Sequence, residues 1–328
     1  MYNFKLSPYQ IEVMKTIEKS VGELIDKYLK PVKDSWQPSD FLPETRDENF
    51  SEVLSEIQEL SHELDYDLFA TLIGDTITEE ALPSYESWLM NMQNVNKGGN
   101  CNFTKWIRAW TAEENRHGDL LGRYLYLSGR VNMHELEIST QHLLQDGFDI
   151  GTDQDPYRNF IYTSFQELAT NISHRRVAVM AKKSGNTRLA KICGVVAADE
   201  ARHARAYMDF VDRILTLDPS GLLVAFEDMM RKKIVMPAHL LRESGGQAGE
   251  LFQHFSDAAQ RIGVYTASDY IDILKSLLKT WNVDMLSDLS DEAERARDYL
   301  MSLPQRLERI SSRIRIPEKQ YEFKWIYA

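Results

Sequence analysis

A glutamate and a histidine three positions apart occur twice in this 328-residue chain in near-identical settings, Glu113-Glu114-Asn115-Arg116-His117 and Asp199-Glu200-Ala201-Arg202-His203. On a helix, positions i and i+3 share a face, so each pair turns a carboxylate and an imidazole toward one spot. A lone glutamate in an apolar stretch precedes each pair: Glu79 lies 35 positions before Glu114, and Glu167 lies 33 before Glu200. Two such pairs and two single glutamates form the inward-facing ligand set of a four-helix bundle that holds two iron or manganese ions. Four carboxylates neutralise two divalent cations, and a neutral cluster can be buried.

The repetition in order separates these pairs from chance. Glu59 and His62 have the same spacing but no upstream glutamate in an apolar run, and they read as a solvated helix face. Around the two selected pairs the neighbours are apolar at helical spacing. Phe69, Leu72, Ile73 and Thr76 lead to Glu79; Trp106, Ile107 and Trp110 lead to Glu114, with Leu121 and Tyr124 beyond His117. Phe160, Ile161 and Thr163 lead to Glu167, and Ile192, Val195 and Val196 to Glu200, with Tyr207 following. Pro83, four residues after Glu79, frees the Glu79 carbonyl and should kink that helix.

The elements that must position these groups are helices throughout. The pattern predicts helices over 8–30, 47–62, 66–93, 104–128, 133–145, 156–183, 187–214, 218–232, 248–261, 266–281 and 289–312, then an extended tail after Ile314. The expectation is one all-α domain spanning 1–328, a ligand-bearing bundle core at about 66–214 with additional helices and a short extended C-terminal tail. Apolar residues make up 43% of the chain, enough for one large core, and no long uncharged apolar run suggests a membrane span. The start MYNFKLSPYQ has neither a signal-peptide core nor an Arg/Ser-rich transit segment, and two cysteines, Cys101 and Cys193, form no disulfide framework. A reducing cytoplasm, bacterial in the simplest case, is the expected compartment, with the plastid stroma as the alternative for a trimmed plant protein. A net charge of −12 argues against nucleic acid as partner.

Carboxylate-rich sites with one histidine per metal suit iron or manganese better than copper or structural zinc. Iron storage, radical generation, hydroxylation and desaturation all remain compatible with such a ligand set. Longer strings narrow the choice. Thr76 to Tyr85, Arg108 to Leu120, Phe160 to Glu167, and Ala197 to Glu200 with Arg202 and His203 resemble the soluble acyl-[acyl-carrier-protein] desaturases, ferritin-like di-iron enzymes. Trp36-Gln37-Pro38, Asp40 to Pro43, Met229 to Lys233 and Gly263 to Ala267 extend the likeness over roughly residues 30–328.

The resemblance implies that Glu79, Glu114, His117, Glu167, Glu200 and His203 hold two irons, with Glu114 and Glu200 bridging. It places Thr170 beside the oxygen-binding face, where the hydroxyl can pass on a proton; the competing role is a helix-packing threonine bonded to a carbonyl. It makes Asp199 and Trp36 a relay for electrons toward a ligand histidine, against Trp36 as a packed surface aromatic. It implies desaturation of an acyl chain on acyl carrier protein, Δ9-type, driven by dioxygen and a ferredoxin-type donor, in a homodimer. Trp88 and Met92 fall near the closed end of the family's acyl tunnel, and Ile150 and Asn159 fall at tunnel positions where the plant stearoyl enzyme has a proline and a glycine; their sizes point to chains of 16 carbons or fewer. Arg231, Lys232 and Lys233, with Arg306, Arg309, Arg313 and Arg315, are candidates for a basic carrier-protein surface, or else ordinary solvated charges. Gln253 stands where the plant enzyme has an acid near that surface. A hydroxylase, a radical-generating reductase subunit or a ferritin-like iron-binding protein are the competing readings.

Overall fold

The computed structural model describes residues 5–93, 95 and 101–327. Within them the chain forms α1 (Pro8–Glu18), α2 (Val21–Tyr28), α3 (Phe50–His62), α4 (Tyr66–Glu80), α5 (Leu82–Asn91), α6 (Asn102–Ser128) and α7 (Met133–Asp146). There follow α8 (Pro156–Lys183), α9 (Thr187–Leu217), α10 (Pro219–Lys232), α11 (Phe252–Ile262), α12 (Ala267–Thr280) and α13 (Asp291–Ser311). Beyond α13 the tail, expected to be extended, has no helix among the described residues and bends at 318–319 and 324–325, with a single antiparallel bridge between Val131 and Ile326.

Local chemistry sets the ends of the bundle helices. Asp65 caps α4 by accepting from the Asp67 and Leu68 amides, and Asp155 caps α8 by accepting from Tyr157, with Pro156 fixing φ in the first turn. The expected helix over 66–93 is two helices: α4 stops at Glu80, and α5 starts with Pro83 in its first turn, because proline cannot continue the ladder of the preceding helix. The expected helix over 8–30 likewise divides at Lys19 and Ser20. Gly129, at φ +65°, ends α6 in the left-handed region. Asn186 accepts from the Leu189 amide to start α9 only three residues after α8 ends, so these helices of 28 and 31 residues form a tight hairpin.

Helices α4, α6, α8 and α9 make the bundle. Phe103, Trp106, Phe160, Tyr207 and Phe210 interlock at one end of it, with Phe160 and Phe210 stacked at 4.9 Å. Gly118 and Gly122 bring α6 against α4: a Cβ at Gly118 would stand 3.2 Å from the Glu80 backbone nitrogen. Helices α10, α11 and α12 pack outside α4, α8 and α9, and α13 packs on α10 and α12. Arg261 of α11 clamps Asp67 of α4 in a two-pronged ion pair and also donates to the Pro317 carbonyl, which fixes the tail. Trp325 seals the tail's far end, fully buried, with its indole donating to Ser139 at 2.8 Å.

Candidate metal centre

One donor atom from each of Glu79, Glu114, His117 and Glu200 lies within 4.8 Å of the others, and so do donor atoms of Glu114, Glu167, Glu200 and His203. The two sets share Glu114 and Glu200, so those carboxylates can bridge. Both rings turn Nδ1 inward. His117 Nδ1 is 3.1 Å from Glu114 and 3.0 Å from Glu200; His203 Nδ1 is 2.5 Å from Glu114 and 3.7 Å from Glu167. Glu59 and His62 both sit exposed on α3, as the solvated-face reading expects.

Whether these residues suit a metal pair can be judged from their own unmet demands. Glu114 Oε1, His117 Nδ1, Glu167 Oε2, Glu200 Oε1 and His203 Nδ1 are buried polar atoms with no hydrogen-bond partner, and all of them converge on the one spot. Orphaned buried groups are rare, and several together mark a place built for a ligand. The electrostatics agree. Burial alone would depress both imidazoles, yet Glu114 and its fellow carboxylates outweigh it and push His117 and His203 well above the usual range. Burial, with the charges of Glu114 and Glu200 beside it, pushes Glu167 well up. The cluster thus calls for positive charge, which two divalent cations on a carboxylate-rich donor set supply.

A second ring of groups holds the first. Asp199 Oδ2 lies 3.7 Å from His117 Nε2 and accepts from the Trp36 indole at 3.0 Å, and Trp36 stacks on the His117 ring at 11°. Burial would raise Asp199, but His117 and Arg202 hold it down at about 2. His203 Nε2 meets Glu113 at 3.0 Å, so each ligand histidine is steadied by the acid that precedes the other helix's bridging glutamate. Arg116 reaches Asp199 and the Trp36 carbonyl, and Arg202 reaches both Glu113 and Asp199. Sequence reasoning overlooked Glu113, though the repeated order acid, Glu, any residue, Arg, His carried the signal. It also overlooked His174, whose Nε2 lies 2.8 Å from Glu79 Oε1, and the indole donation from Trp110 to Glu167 Oε1 at 3.1 Å. The Thr170 hydroxyl lies 3.2 Å from the Gln166 and Glu167 carbonyls, the helix-packing contact expected of it, and it also donates to Glu200 Oε2 at 2.6 Å.

A cavity of about 630 Å³ opens onto this cluster, reaching Thr78, Glu79, Tyr85, Glu167, Thr170 and Glu200 at its inner end. Its outer part runs between α11, α12 and the end of α13, past Phe252, Tyr270, Leu307 and Ile310.

Residues 9–327 match the family model described as fatty acid desaturase. The chain belongs to the fatty acid desaturase family. It is 49% identical over 330 residues to stearoyl-[acyl-carrier-protein] 9-desaturase 5, chloroplastic, of Arabidopsis thaliana, a match covering 98% of this chain and 83% of that one. It is 48% identical to the stearoyl-[acyl-carrier-protein] 9-desaturase of Ricinus communis, over 98% of this chain and 82% of that one. Palmitoyl-[acyl-carrier-protein] 4-desaturase 3 of Ophrys sphegodes is 45% identical over the same shares. Among solved structures, DesA2 of Mycobacterium tuberculosis, provisionally assigned as an acyl-ACP desaturase, covers 87% of this chain and 99% of its own at a TM-score of 0.56 and 16% identity. That likeness is one of fold, all-α and ferritin-like.

In this fatty acid desaturase family member the remaining expected site residues are scattered around the cavity. Trp88, Met92, Ile150 and Asn159 do not line it. Trp88 packs on Tyr85 at 5.4 Å and on Phe148 at 4.8 Å, so it stands behind the Tyr85 wall. Met92 and Ile150 are buried, and Asn159 is bonded to Thr152 and to the Asp155 carbonyl. Of the basic triplet, Arg231 pairs with Glu227 and Lys232 with Asp228, while Lys233, in the left-handed region at φ +66°, lines the cavity. Arg306, Arg309, Arg313 and Arg315 are exposed on and just beyond the end of α13. Gln253 lines the cavity and donates to Asp257. Among the described residues no helix is long and apolar enough to cross a membrane.

Proposed function

We propose that this protein desaturates a fatty acyl chain carried on acyl carrier protein, giving a cis monounsaturated product. The observation that carries this reading is the 49% identity, across 98% of the chain, to proteins named for that reaction on the stearoyl thioester. Glu79, Glu114, His117, Glu167, Glu200 and His203 would hold two irons, with Glu114 and Glu200 between them. Bound iron supplies dioxygen activation strong enough to break unactivated C–H bonds. Removing two hydrogens from adjacent methylenes while dioxygen goes to two waters takes two further electrons and two protons, which a ferredoxin-type donor and solvent provide.

The chain's own groups do the rest. The cavity orients the acyl chain with one methylene pair beside the cluster and keeps water away. The Thr170 hydroxyl, facing that cavity and bonded to Glu200, is placed to hand over a proton there. Trp36, half-buried and joined to His117 through Asp199, is the inward path for electrons. The apolar mouth formed by Leu307, Ile310 and Ile314, with Arg306 and Arg309 exposed along the same end of α13, suits an acidic carrier better than Arg231 and Lys232, which already have acidic partners. A Δ9 position is favoured by the relatives; a 4-desaturase at 45% identity marks position as a property that small differences reset. The homodimer belongs to the same reading, as does a plastid or bacterial cytoplasmic setting, the curated relatives being chloroplastic.

The test is one reconstituted reaction. Iron-loaded protein is given palmitoyl and stearoyl carrier protein, a ferredoxin reducing system and oxygen, and the fatty acids are read by mass spectrometry. A monounsaturated product is expected from one or both. A hydroxylated product instead would move the chemistry to oxygen insertion, and iron loading far beyond two ions per chain without any product would move it to storage.

A further inference from the structure

The two outer carboxylates of the cluster are held differently. Glu167, on α8, receives the indole N–H of Trp110 from α6 at Oε1. Glu79, on α4, meets the imidazole Nε2 of His174 from α8 at Oε1, 2.8 Å away. His174 is 1% exposed, and beyond Glu79 its ring interacts with the buried Cys193 thiol. A carboxylate only accepts, so Nε2 carries the proton in this contact. With Oε1 taken by His174, the oxygen that Glu79 offers to the cluster is Oε2, which lies 3.7 Å from His117 Nδ1.

We propose that His174 is a positioning residue for Glu79 alone, and so sets the cation affinity of the half-site made by Glu79, Glu114, His117 and Glu200, while Trp110 does the same for the Glu167 half. The inference rests on reading the cluster as a two-metal centre. The geometry behind it is local: His174 reaches only the outer carboxylate of one half, and the two bridging glutamates lie outside its hydrogen bonds. A group that orients a ligating carboxylate typically carries 10–100-fold in metal affinity. The loss on removing it should therefore fall on one cation and spare the other.

The experiment is an anaerobic titration of the metal-free full chain with cobalt(II), followed by visible absorption and checked by elemental analysis. Wild type should bind two cobalt ions. His174→Leu should keep one near wild-type affinity and weaken the other about 10–100-fold. His174→Gln, whose amide N–H can stand where Nε2–H stood, should restore most of it. Trp110→Phe should weaken one ion, and the double variant W110F/H174L both. Equal weakening of both ions in H174L, no weakening at all, or an H174Q as poor as H174L would overturn the proposal. Should H174L fail to fold by circular dichroism, His174→Met, flexible enough to fill the space, decides in the same titration. A wild-type chain that binds no cobalt would strike the two-metal reading itself and take this inference with it.

Discussion

At the scale of single residues, this chain spends buried charge freely around one point and neutralises it pairwise. Glu113, Asp199, Arg116 and Arg202 form a closed ring behind the two histidines, so each charge faces an opposite one. Asp75 is a different case. It lines the cavity one turn before Glu79, accepts from Ser173 at 2.7 Å, and burial pushes it up to about 6. Because the folded chain holds this proton more tightly than the unfolded one, the stabilisation is present below the ordinary carboxylate range and is lost as pH rises through about 6. Asp75→Asn, which keeps an acceptor for Ser173 and removes the titration, should flatten the decline of the thermal midpoint between about pH 4 and pH 7. Parallel melting curves across that range check it; identical slopes for both proteins would contradict the assignment.

At the scale of elements, the site depends on how closely α6 can approach α4. Gly118 sits where a Cβ would meet the Glu79 carbonyl carbon at 3.3 Å and the Glu80 nitrogen at 3.2 Å, both backbone atoms that cannot swing away. Gly194, on the exposed side of α9, has nothing within 4 Å of its Cβ position. Opposite signs follow. Gly194→Ala should stabilise by about 0.5–1 kcal/mol through helix propensity. Gly118→Val should cost about 1–3 kcal/mol by overpacking, and should loosen the carboxylate and imidazole cluster by pushing Glu79 outward. Urea unfolding of both variants measures the pair, and a stabilised G118V would mean that the α4–α6 contact is slack. The break between α4 and α5 belongs to this scale too: Pro83 was legible as a kink, yet only the packed structure shows two helices meeting at Ala81.

At the scale of the whole molecule, the cavity beside the cluster is walled by residues from distant segments. Tyr85 of α5 lines the cavity with its hydroxyl bonded to the Thr78 carbonyl at 2.6 Å, and Trp88 and Phe148 back it, Trp88 packing in turn on Tyr162. That backing supports a preference for palmitoyl over stearoyl carrier protein, and Trp88→Leu should move the ratio of kcat/KM toward stearoyl. Two methylenes at about 0.8 kcal/mol each cap the change at roughly tenfold. Competition between the two thioesters checks it; an unchanged ratio would place the chain-length limit elsewhere. The sequence by itself determined the all-helical class and the two repeated sets of carboxylate and imidazole that share a helix face, because residue types at i and i+3 within a helix are set by helical geometry alone; Asp199, Trp36 and Thr170 stand out only through the resemblance to the desaturase family. Tertiary structure decided what lies between helices: that Glu113 serves His203 and Asp199 serves His117, that His174 reaches Glu79 from α8, that Arg231 and Lys232 are matched to acids, and that Tyr85 lines the cavity while Trp88 stands behind it. Those contacts depend on which faces of separate helices meet and how closely, and spacing along one chain carries no record of that.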